Sequence, residues 1–161
     1  MNENCWRYEG ERDCEPLHYD WCGLDDVYLM SGYTRIPTED GDDIVIKDMD
    51  GLHEAIGQHL AMYKKALNGK EIRFLRHEMD LTQNELGNLL AVSDQSVARW
   101  EKQEVAIPGP AELLLRAFYL GHIHKQVDVR ALAEHLRAVD APISEQQRFV
   151  NDGTWKPLIA A

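Results

Sequence analysis

Apolar and polar positions follow two different periods along the chain. The stretch from Met1 to about Asp26 is polar and acidic with no sustained period and reads as a loosely ordered arm, although its aromatic residues Trp6, Tyr8, Tyr19 and Trp21 are placed to pack locally. Val27–Ile36 and Asp43–Lys47 are rich in β-formers and flank the turn-forming run Pro37–Asp42, which predicts a β-hairpin. After Asp50 and Gly51 the spacing becomes helical: Leu52, Ala55, Ile56, His59, Leu60 and Tyr63 share a face, predicting one helix that ends near Leu67.

Capping signals then divide the next fifty residues. Asn68-Gly-Lys-Glu71 and Thr82-Gln-Asn-Glu85 each place a capping side chain three residues ahead of a Glu that can reach back to its amide, so a helix starts at each. Ile72, Phe74 and Leu75 form the inner face of the first, and Leu86, Leu89 and Leu90 that of the second. Ala91-Val-Ser93 is a short turn, and Ser93 caps a third helix, to about Lys102, anchored by Val97 and Trp100. Pro108-Gly-Pro110 is a rigid connector, with Pro110 suited to the first position of a helix whose predicted stripe is Leu113, Leu114, Ala117, Phe118 and Leu120. Residues 127–139 predict a final amphipathic helix. The fold class expected is α+β, mainly α: residues 1–66 form an acidic hairpin-plus-helix region, 67–140 a five-helix domain, and 141–161 a C-terminal tail.

Charge changes this picture by being uneven. The formal net charge of −11 is the wrong sign for a protein that neutralises phosphates. Residues 1–63, however, hold 15 acids against 4 Lys/Arg, whereas residues 64–104 hold 7 of each and residues 105–161 hold 6 of each. The entire excess lies in the N-terminal third. That third is either a solubilising surface or the electrostatic complement of a basic partner. No run approaches the roughly 18 apolar residues of a membrane span, and the N-terminus lacks the basic start and apolar stretch of a signal peptide, so a cytoplasmic protein is expected. Cys5, Cys14 and Cys22 are an odd set in a reducing compartment, read as free thiols. With His18 they also compose a Cys3His zinc set, though wider in spacing than structural zinc knuckles. No nucleophile–base or paired-carboxylate spacing points to an enzyme.

Two short helices joined by a tight turn form the scaffold that presents the second helix to the major groove of DNA. Small Gly87 lies where the helices must approach. The outward residues of the third helix include Gln95, Ser96 and Arg99. Gln can pair bidentately with adenine and Arg with guanine, and a spacing of four puts Gln95 and Arg99 on one face. These three are the expected base readers. Thr82, Gln83 and Ser93, at helix N-termini, together with Lys102, are the expected phosphate contacts.

Leu81-Thr-Gln-Asn-Glu-Leu-Gly and Arg99-Trp-Glu-Lys resemble the Cro/repressor-type (XRE) helix-turn-helix family. Leu67–Arg76 and Ile107–Arg116 further resemble MqsA-like antitoxins and regulators with a YgiT-type N-terminal zinc domain. The resemblance covers about residues 67–120. It implies a Cro/repressor-like domain that reads bases through Gln95 and Arg99. It also implies a homodimer through that half, a palindromic double-stranded DNA operator in its own promoter, and a ribonuclease toxin held by the other half. The expected function is a transcriptional repressor acting as the antitoxin of a toxin-antitoxin pair. The alternatives are a stand-alone regulator without a toxin and a protein-interaction module that keeps the fold. Two positions depart from the family: Ala91 stands where Gly is usual, and Cys5-x8-Cys14-x7-Cys22 replaces paired C-x-x-C motifs.

Overall fold

The computed structural model describes residues 15–123, 126–139 and 146–158. Among them the chain is α+β, with six helices, a four-stranded sheet and a two-stranded one. It divides into two compact units, residues 1–56 with 145–161 and residues 57–144, and the division falls inside the first helix.

The first unit contains β1 (Leu17–His18), β2 (Val27–Leu29), β3 (Tyr33–Thr38), β4 (Gly41–Ile46), the start of α1 (Met49–Tyr63), β5 (Gln147–Asn151) and β6 (Trp155–Pro157). The expected hairpin is present as β3 and β4, paired antiparallel from Tyr33↔Ile46 to Thr38↔Gly41. Its first strand is shorter than the β-forming run from which it was read. Gly32, at φ +80°, breaks Val27–Ile36 into two strands that enter different sheets, and a Cβ there would lie 2.6 Å from the Trp155 ring. Residues 147–157, within the segment read as a tail, form β5 and β6. β5 pairs parallel with β2 in register Val27↔Gln147 and Leu29↔Phe149. Ser31 Oγ bonds to both the carbonyl and the amide of Asn151, extending that join past the strand ends. Buried Val27, Leu29 and Phe149 share one face of the sheet, and Val150 is buried on the other.

The second unit contains the end of α1 with α2 (Gly69–Glu78), α3 (Gln83–Leu90), α4 (Asp94–Glu101), α5 (Gly109–His122) and α6 (Val129–Ala138). α1 ends at Tyr63, four residues before its expected limit. The stripe expected on α5 is rotated: Leu115, Arg116, Tyr119 and Leu120 are buried, whereas Leu114 is 40 % exposed and Leu113, Ala117 and Phe118 are half-buried. Pro110 is the second residue of that helix rather than the first, since Gly109 opens it.

Arg116 accounts for the rotation. A fully buried guanidinium must be paired and hydrogen-bonded. Arg116 donates to the Leu60 carbonyl at 2.8 Å and the Ala61 carbonyl at 3.3 Å, in the last turn of α1, and pairs with Glu112 one turn earlier on its own helix. Glu112 in turn accepts from the Leu67 amide at 3.2 Å. One ion pair thus satisfies carbonyls left open at the end of α1 and an amide just ahead of α2. His135 of α6 bonds to the Met62 carbonyl at 2.7 Å, on the same terminus. Arg116→Ala leaves Glu112 half-buried without its cation and the α1 carbonyls without donors. The expected loss is about 3–5 kcal/mol, read as a lowered urea midpoint with an unchanged m-value.

Candidate nucleic-acid interface

Three caps fix where α2, α3 and α4 begin. Asn68 and Thr82 each form a complete capping box. The Asn68 side chain accepts from the Glu71 amide at 2.9 Å while Glu71 returns to the Asn68 amide at 2.8 Å. Thr82 Oγ1 accepts from the Glu85 amide at 3.2 Å, and the Glu85 carboxylate takes the Thr82 amide at 2.8 Å and its hydroxyl at 2.9 Å. Those bonds from Thr82 hold the Glu85 carboxyl below the usual glutamate range. Ser93 caps α4 by accepting from the Ser96 amide, with the two hydroxyls 3.0 Å apart.

Between α3 and α4 the chain reverses at Ala91, which lies in the left-handed region at φ 57°, ψ 41°. The Val92 amide closes the turn on the Gly87 carbonyl at 2.9 Å. The close approach expected at Gly87 is present: a Cβ there would sit 2.8 Å from the Val92 carbonyl oxygen, which is backbone and cannot swing aside. Leu86, Val97 and Trp100 are buried at the junction of the helices.

A charged network lies beside this apolar junction. Arg76 of α2 holds Glu101 of α4 through two nearly parallel bonds, 2.6 and 3.0 Å long, with both side chains at least nine-tenths buried. The remaining Arg76 nitrogen donates to the Leu81 carbonyl at 2.8 Å, and the Gln83 amide donates to Glu101 at 2.9 Å. Gln83, expected at a phosphate, therefore has its NH2 group engaged inside the module, and Glu101 collects donors from two other helices. The sequence pattern places Arg76 with Lys70 and Arg73 away from the inner face of α2, but it is buried, and gives Glu101 no role. No local signal marks the pair, because the buried side of α2 also contains the charged capping residue Glu71.

With Val97, Trp100 and Glu101 turned inward, α4 exposes Asp94, Gln95 and Arg99 and leaves Ser96 and Ala98 half-buried. Gln95 and Arg99 lie one turn apart on the open side, and Lys102 is exposed at the C-cap. Thr82 and Ser93 sit exposed at the N-termini of α3 and α4. The positive end of each helix dipole suits a phosphate oxygen, but at α4 the Asp94 carboxylate already accepts from the Gln95 amide at 2.8 Å.

The zinc set gains no support from geometry. His18 Nε2 bonds to the Asp25 carbonyl at 2.7 Å and its ring stacks on Tyr28, while the Cys22 thiol approaches the Tyr19 carbonyl at 3.8 Å. Cys5 and Cys14 fall outside the described residues. Among the described residues, no three His, Cys, Asp or Glu side chains are grouped to hold a metal ion, and no helix is long and apolar enough to cross a membrane.

The turn yields a paired test. Ala91→Gly relieves a left-handed alanine and should raise stability by up to about 1 kcal/mol, offset in part by the greater freedom of the unfolded chain. Gly87→Ala drives a methyl group into the Val92 carbonyl and should lower stability by about 1–3 kcal/mol. Denaturant titration of both variants checks the opposite signs. No protein-family model, curated protein or solved structure matches the chain, so the caps, the turn and the open face of α4 carry its functional reading.

Proposed function

We propose that the chain is a sequence-specific DNA-binding repressor, with residues 67–140 acting as a five-helix Cro/repressor-like domain and α4 as its recognition helix. The observation that carries this reading is that Gln95 and Arg99 project together from a helix fixed on its other side by Val97, Trp100 and the Arg76–Glu101 pair. Groove readers need a rigid mount, since a base-edge pair tolerates little displacement. α4 enters the major groove, Gln95 pairs with adenine N6/N7, Arg99 pairs with guanine O6/N7, and Ser96 reaches a neighbouring edge. Thr82, Ser93 and Lys102 hold phosphates, and Gln83 acts mainly by bracing Glu101.

The domain is locally neutral, so affinity requires two copies. A homodimer seats two α4 helices on a palindrome with half-site centres about 34 Å apart. Occupation of the promoter then excludes polymerase. Arg99→Ala should cost about 1–3 kcal/mol on the preferred duplex and relax selectivity at one base position, whereas Lys102→Ala should weaken all duplexes alike and flatten the salt dependence. Binding titrations over a salt series, on the preferred and single-substituted duplexes, separate the two. Equal loss on every sequence for Arg99→Ala removes it from base readout.

The excess acid of residues 1–63 supports a further element of the reading, an antitoxin that holds a basic toxin through its first unit. The expected outcome is that a small basic protein encoded beside this chain arrests growth when expressed alone and co-purifies with this chain in a salt-sensitive complex. Absence of such a neighbour leaves the stand-alone repressor.

A further inference from the structure

The end of α4 contains a left-handed residue, and it determines where one carboxylate lies. Gln103 adopts φ 60° directly after the C-cap Lys102. The Gln103 amide then bonds to the Trp100 carbonyl and the Glu104 amide to the Arg99 carbonyl, each at 3.0 Å. This is the paired-bond helix terminus usually built on glycine. It folds the chain back by a turn and brings the Glu104 side chain beside that of Arg99, with Glu104 Oε2 3.7 Å from Arg99 Nε. Both side chains remain open to solvent, at 60 % exposure for Arg99 and 52 % for Glu104.

We propose that Glu104 is a specificity-determining residue, a built-in competitor that occupies the Arg99 guanidinium until a base edge replaces it. The inference rests on the reading of α4 as a DNA-recognition helix. An exposed ion pair of this kind is worth about two- to fivefold in an equilibrium. A guanine offering O6 and N7 together can displace it, because a good bidentate base contact discriminates by more than that. A misplaced helix instead offers Arg99 a phosphate. Releasing the guanidinium costs both complexes alike, but at a phosphate Glu104 also repels the oxygens that Arg99 draws beside it, whereas the guanine edge is uncharged. Glu104 therefore penalises non-specific complexes more than the specific one. In a chain whose helix-turn-helix segment has equal numbers of acids and bases, this keeps sequence-independent attraction low.

The test uses the full-length protein and two probes: a duplex enriched by repeated selection from a randomised library, and a scrambled duplex of the same composition. Glu104→Gln retains the backbone amide that closes the helix, and an unchanged circular-dichroism spectrum and melting midpoint verify the fold. Loss of the competing pair should raise affinity for both duplexes, and loss of the phosphate repulsion should raise it about two- to fivefold further on the scrambled one, so the specificity ratio falls by that factor. In an Arg99→Ala background the same substitution should leave the ratio unchanged. An equal gain on both duplexes, or a shift in the ratio that persists without Arg99, overturns the assignment while the DNA-binding reading stands. Failure of the wild-type chain to enrich any duplex, or to bind with salt dependence, overturns the DNA-binding reading and the role of Glu104 with it.

Discussion

The carboxylate of Glu101 is the point on which the helix-turn-helix segment depends. It accepts from Arg76 on α2 and from Gln83 on α3 while belonging to α4, so the relative placement of three helices converges on two oxygen atoms. Apolar contacts among Leu86, Val97 and Trp100 supply cohesion, but such contacts are non-directional and tolerate sliding. Bidentate pairing between a planar guanidinium and a carboxylate fixes angle as well as distance. A buried pair of this kind adds little net stability compared with an apolar substitute; its contribution here is to orient. For the recognition helix we propose, with Gln95 and Arg99 set against base pairs, orientation is the quantity that matters.

How much of this was legible from the sequence depended on how local each cause was. Asn68, Thr82 and Ser93 were read correctly as helix starts because a cap is settled within four residues. The approach at Gly87 followed from the same short segment. The exposed face of α4 was legible once Val97 and Trp100 were assigned inward.

Failures came from interactions that cross the chain. Arg116 looks like a surface residue by type, and only its pairing with Glu112 and the end of α1 makes it an interior one; omitting it rotated the stripe expected on α5. Gln83 looks like a free side chain at a helix start until Glu101 is brought beside it from 18 positions away. The pairing of β2 with β5 leaves no trace in either strand, since β2 is only three residues long, β5 has two apolar residues among five, and the partners lie about 120 positions apart.

That last pairing orders events during synthesis. β2 leaves the ribosome early, but the strand that completes its edge is made only after all of residues 57–144. At roughly 5–20 residues per second, the helical unit has seconds in which to fold on its own contacts, since none of its elements needs a strand made later. The sheet of the first unit must wait, with the edge of β2 unpaired and open to any extended strand it meets. The acidic character of the surrounding residues is a safeguard in that interval, because like-charged nascent chains repel one another before β5 arrives.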